Sequence, residues 1–163
     1  MTDAVSFLWR WELAGHSRDA EAWRVIHDFA NSAFPRPGVA FSDMHIALAQ
    51  AVAGDHITLK SRARQIDELA RTGRYPSGPL VPAVSQAFAA FERRDFAAAI
   101  DALEPIAGEL ERIGGSRAQL DLVEFTLLQA YISAGRLDDA RRMLSVRRRG
   151  SSSLPVAGLA TVH

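Results

Sequence analysis

Metal chemistry is the first that the side chains invite. Five histidines (His16, His27, His45, His56 and His163) are spread along the chain. Cysteine is absent, so thiolate sites, thiol nucleophiles and disulfides drop out together. No histidine falls into a tight ligand spacing such as HExxH. Asp43 and His45 lie roughly 200° apart around a helix, so they do not share a face. No metal site is expected. Nucleophilic catalysis fares no better. The sequence holds no GxSxG elbow, no P-loop and no GxGxxG following a strand. Ser116, beside Gly115 at a helix start, reads as a capping residue. Asp138 and Asp139 stand at another helix start, where negative charge is stabilised without any catalytic role. The expected role is non-catalytic, and nothing in the sequence calls for a cofactor.

Charged clusters offer binding chemistry instead. Arg117, Asp121 and Glu124 recur at i, i+4 and i+7, so one helix face carries all three. That face could serve as an interaction surface or form an exposed ion-pair ladder. Arg141, Arg142, Arg147, Arg148 and Arg149 make a basic stretch near the C-terminus. Nineteen basic residues balance nineteen acidic ones, and no aromatics interleave the arginines. The balance argues against nucleic acid as a partner, and the arginines read as a solvated helix end. All basic residues but Lys60 are arginine.

These residues must be held by helices. Apolar residues recur at three- and four-residue spacings, while alternating Val/Ile/Thr runs are missing. Gly, Pro and capping residues divide the chain into about eight helices. Asp3 caps the first, Ser17 or Asp19 the second and Ser42 the third. The fourth runs from Asp55 to Arg71, the fifth from Pro82 to Arg93, the sixth from Asp95 to Arg112 with a break at Pro105, the seventh from Ser116 to Gly135, and the eighth from Asp138 to Arg147. Four short turns, at Gly15, Gly54, Arg94 and Gly135, recur at a period of about 40 residues. Around the last two, Phe96 aligns with Leu137, Ala99 with Ala140 and Leu103 with Leu144. Small residues at such positions let paired helices approach closely. The expected fold is all-α: a TPR-like α-α superhelix of about four antiparallel helix pairs, spanning 1–149, followed by a flexible tail, 150–163.

Several segments carry a resemblance: Ser6-Phe7-Leu8-Trp9-Arg10, Phe41-Ser42-Asp43-Met44-His45, Phe88-Ala89-Ala90-Phe91 with Arg94-Asp95-Phe96, and Arg112-Ile113-Gly114-Gly115-Ser116-Arg117-Ala118-Gln119. Together they resemble the C-terminal part of the tetratricopeptide repeat protein 38-like family, from about Ser6 to about Leu144. The family pattern has His where Arg117 stands, Arg where Leu120 stands, and Asn where Ser42 stands. The resemblance implies a TPR-like helical fold and no reaction. It also singles out Asp43, His45 and Gln119, which could line a polar pocket for a small molecule. The plainer expectation is that Asp43 charges a helix start, His45 is buried and hydrogen-bonded, and Gln119 bonds backbone near the Gly114-Gly115 turn. Family members are longer, with repeats upstream.

The first helix carries Phe7, Leu8, Trp9, Trp11 and Leu13, apolar around most of its circumference. Phe7, Trp9 and Trp11 are therefore expected to meet a partner: a protein or peptide, or a second copy of the chain in a homodimer. The start has no basic region ahead of an apolar run, and the longest low-polarity stretch, Ile46–Gly54, is far short of the ~20 residues of a membrane span. A cytoplasmic location and no membrane are expected.

Overall fold

The computed structural model describes residues 1–146 and 156–158. Among them the protein is all-helical, with no strand. The helices are α1 (Thr2–Leu13), α2 (Ala20–Ala33), α3 (Ala40–Val52), α4 (His56–Arg71), α5 (Leu80–Glu92), α6 (Phe96–Leu103), α7 (Arg117–Ser133) and α8 (Leu137–Val146). A 3₁₀ segment, Glu104–Ile113, follows α6. The sixth helix was expected to continue to Arg112 through a break. Pro105 cannot donate to the Asp101 carbonyl, and the chain tightens into 3₁₀ turns from Glu104 onward. Two starts also shift. Val39, not Ser42, precedes α3, and Met1, not Asp3, precedes α1.

The four recurring turns share one hydrogen-bonding device. At each, the left-handed residue bonds a carbonyl three residues back and its successor bonds one five residues back. Gly54 N donates to Ala51 O and Asp55 N to Gln50 O; Arg94 N donates to Phe91 O and Asp95 N to Ala90 O. Gly15 with His16, and Gly135 with Arg136, repeat the arrangement. These are Schellman caps, which require φ > 0 at the turn residue. Arg94, at φ 60, accepts a conformation that glycine takes at the other three. Asp55 and Asp95 then cap the next helix, accepting from Thr58 N and Ala98 N, as Asp19 does for α2. Ala99 and Ala140 are fully buried, in keeping with close helix approach.

Packing follows this alternation. α3 lies against α1, α2, α4 and α5, and nine consecutive residues, Asp43–Ala51, are buried. α5 packs on α3, α6 and α7, and α8 on α7. The contact that decides the shape is α1 with α7. It brings the first helix of the first pair onto the first helix of the last, which a strictly linear stack of hairpins would keep apart. Trp9, 1% exposed, sits at this junction. Its ring meets Phe88 and Phe91 of α5 edge-on, with centroids 6.2 and 5.4 Å away. Its indole N–H donates to Thr126 Oγ1 of α7 at 2.7 Å, and that hydroxyl donates to Leu122 O.

The segment expected to be a flexible tail contributes to the same place. Val156 joins the core, and Ala157 N donates to Leu13 O at the end of α1. A helix-terminal carbonyl thus gains a partner from far along the chain. The rest of that expected tail, and Arg147, Arg148 and Arg149, lie outside the described residues.

Candidate functional site

Helix α1 turns Val5, Ser6, Trp9 and Leu13 inward. Ser6 thereby reaches His45 on α3, with Oγ 2.8 Å from Nε2. The other ring nitrogen, Nδ1, lies 2.7 Å from Phe41 O. A carbonyl only accepts, so in the neutral ring Nδ1 carries the hydrogen and Nε2 accepts from the serine hydroxyl. The order hydroxyl, imidazole, orienting acceptor has the form of an activated nucleophile. Burial also holds the His45 pKa below its ordinary value, opposed in part by the Phe41 carbonyl, so the ring is a neutral base. Both side chains, however, are sealed, at 1% and 0% exposure. Catalysis needs a reacting atom beside the hydroxyl, and neither of the two cavities described below is lined by Ser6 or His45. The pair works as a buried hydrogen-bond link between α1 and α3.

Asp43 faces the other side of α3. Its Oδ1 takes an ion pair from Arg62 of α4 at 2.7 Å, and its Oδ2 accepts from Tyr75 Oη and Gly38 N, each at 2.9 Å. Arg62 also donates to Phe34 O. Burial, followed by the Asp43 charge, pushes the Tyr75 phenol far above its usual range, so it remains a donor. One carboxylate therefore ties α3 to α4, to the loop before α3 and to the loop before α5.

Gln119 serves a third place. Its side-chain carbonyl accepts from Ser116 N and Ser116 Oγ at 2.9 and 3.0 Å, and its amide donates to Asp3 Oδ1 at 2.8 Å. This is the expected bond to the turn, extended to α1. Phe41 connects it to His45: the rings stand 4.7 Å apart, and a Cβ on Gly115 would fall 2.5 Å from the Phe41 ring. Asp43, His45 and Gln119 are joined by no hydrogen bond, and none of them lines either cavity.

Sequence reasoning did not select Ser6, Arg62 or Tyr75. For Arg62 a signal existed: it lies between Leu59 and Ile66 on the buried stripe of α4, three residues from one and four from the other. Ser6 likewise sits on the inward face of α1. Tyr75, in a turn cluster, gave no such sign.

The surface residues divide. Phe7 and Trp11 are 58% and 45% exposed, with ring centroids 6.0 Å apart. Trp11 also stacks on His16 at 3.7 Å. Trp9 was expected on this surface and is not there, since the same helix must fill the gap between α5 and α7. Arg117 pairs with Asp121 at 3.1 Å and Glu124 at 2.8 Å, a ladder in which the arginine is exposed and the two carboxylates are mostly covered. Arg141 and Arg142 pair with Asp138 and Asp139. Among the described residues no cluster of His, Asp and Glu could hold a metal ion, and no helix is long and apolar enough to cross a membrane.

Two cavities at the surface of the described residues bear on binding. One, of about 340 Å³, lies at the Trp9 junction and is crossed by Arg18, which pairs with Glu12 and Glu92. The other, of about 380 Å³, is a groove between α4 and α5. Leu59, Ala63 and Ala89 contribute its apolar surface, and Lys60, Arg64, Arg93 and the opposing Asp67 its charge. Lys60 and Arg64 stand one turn apart, a like-charge spacing that costs a helix ~0.2–0.5 kcal/mol. No family model matches the chain, and no solved structure does.

Proposed function

We propose that the protein is a non-catalytic helical-repeat module, TPR-like and akin to the C-terminal part of the tetratricopeptide repeat protein 38-like family, that binds another protein through α1. The observation carrying this reading is the stack of Phe7, Trp11 and His16 on the outside of the fold. Exposed aromatics held in register lose little conformational entropy on binding and bury large area, the properties of interface hot spots. The repeat character is supported by the four Schellman turns at a period of about 40 residues and by the buried alanines after the last two. A non-catalytic role is supported by the buried pairs Ser6–His45, Asp43–Arg62 and Trp9–Thr126, whose hydrogen bonds tie helices together. A second copy of the chain is the first partner to test.

Light scattering across a concentration series, on the wild-type protein and on Phe7→Ser/Trp11→Ser, tests this directly. Self-association that the double variant loses supports a homodimer through α1. If both proteins are monomers, cross-linking in native extract decides. A partner retained by the wild type and lost by the variant supports the reading; equal recovery by both, or recovery by neither, overturns it.

A further inference from the structure

We propose that the groove between α4 and α5 binds an acidic peptide segment in extended conformation, at a site separate from the aromatic face of α1. Charge is the first ground. Lys60, Arg64 and Arg93 line the groove, and among the described residues their side chains take part in no hydrogen bond or ion pair. Several other arginines are ion-paired: Arg24 with Glu21 and Asp28, Arg71 with Glu68, and Arg136 with Glu104 and Asp139. Arg10, Arg36, Arg74 and Arg94 carry no ion pair among the described residues, but they do not line this groove. The chain is formally neutral, so unmatched cations gathered in one groove do not reflect general basicity. Asp67 also lines the groove, three residues beyond Arg64, and forms no ion pair with it. The cations are left to a ligand.

Shape supplies the second ground. His56, Lys60 and Arg64 follow one another at four-residue steps along α4, a rise of about 6 Å per step. Alternate side chains of an extended peptide are spaced about 6.6 Å apart, so carboxylates at every second position meet this row in register. The intervening side chains point the opposite way, toward Ser85, Gln86 and Ala89 of α5. Asp67 repels a carboxylate at its end, which limits the acidic run and fixes its direction.

The probe is a fluorescent peptide alternating leucine and glutamate, titrated by anisotropy against the whole protein, with a glutamine-for-glutamate peptide as control. The expected result is saturable binding of the glutamate peptide that weakens as salt rises, and no binding of the glutamine peptide. Lys60→Glu/Arg64→Glu should lower affinity about tenfold or more. Arg36→Glu, which alters an unpaired cation outside the groove, should not. Phe7→Ser/Trp11→Ser should bind the peptide unchanged, so failure of the α1 reading and failure of this one are told apart. If the charge-reversal variant does not fold, amide shift mapping on the wild type decides, with changes expected at Ala63, Ala89 and Arg93. Absent saturation, equal binding of the glutamine peptide, equal loss in Arg36→Glu, or shifts away from the groove would each overturn the proposal.

Discussion

Replacing Asp43 by Ala removes at one stroke the acceptor shared by Arg62, Tyr75 and the Gly38 amide. Arg62 is 4% exposed, so its guanidinium would stay buried with only the Phe34 carbonyl as partner. Breaking a buried pair from one side costs about 3–5 kcal/mol, because the remaining charge is desolvated and unmatched. The orphaned phenol and amide add to this, though not by simple summation. Against a total stability of ~5–15 kcal/mol for a domain, the variant should be severely destabilised. At roughly 2–4 °C per kcal/mol for a chain of this size, the melting temperature should drop by about 6–20 °C. Thermal denaturation followed by circular dichroism would measure the shift, and urea denaturation the loss of free energy. Asp43→Leu with Arg62→Met should recover the share due to the unmatched guanidinium, since apolar residues of similar volume replace buried pairs at little cost, while the phenol and amide stay without their acceptor. A cost below about 1 kcal/mol for Asp43→Ala would refute this account. The carboxylate would then be free for a ligand, and the polar-pocket reading of Asp43 would return.

Stability should also fall in mild acid because of His45. Its folded pKa lies below the unfolded value of about 6.5, so below that pH the unfolded chain takes up the proton first. The contribution is fully present above about pH 6.5 and is lost as pH falls toward the folded pKa; urea midpoints from neutral pH downward should show a shallower decline for Ser6→Ala/His45→Leu than for the wild type. Gly54→Ala should cost about 1–2 kcal/mol from backbone strain alone, since nothing lies within 4 Å of its added Cβ. Gly115→Ala should cost more, because φ is +99° and the added carbon meets the Phe41 ring; equal losses by thermal denaturation would show that the ring moves aside freely.

What the sequence made legible is what short segments determine. Gly54-Asp55 and Arg94-Asp95 each state a helix end and the next start within two residues, because a Schellman turn and an aspartate cap are local devices. The caps at Asp19, Asp55 and Asp95 and the break at Pro105 are of this kind. The candidate site was only partly readable. Asp43 and His45 were found and their opposed directions followed from helical geometry, but their partners were not. Ser6 is 39 residues from His45, Tyr75 is 32 from Asp43, and Thr126 is 117 from Trp9. No period or cap encodes such a meeting. The circumference of α1 signalled cover on several sides, and it took the fold to show that α5 and α7 supply it to Trp9 while Phe7 and Trp11 stay outside.

That division bears on where binding can occur. A linear hairpin stack leaves its inner faces free to form a concave groove. Here α1 lies on α7 as well as α3, and Trp9 fills the space where such a groove would run. Ala157 fastens the end of the same helix from beyond α8. Polar groups on the inner side follow the same logic: Ser6 with His45 and Thr126 with Trp9 join helices, and their burial is what makes each bond costly to lose. Folding thus covers much of the inner surface, and the cavity crossed by Arg18 stays open there. The Phe7–Trp11 stack and the cations between α4 and α5 lie outside this covered surface.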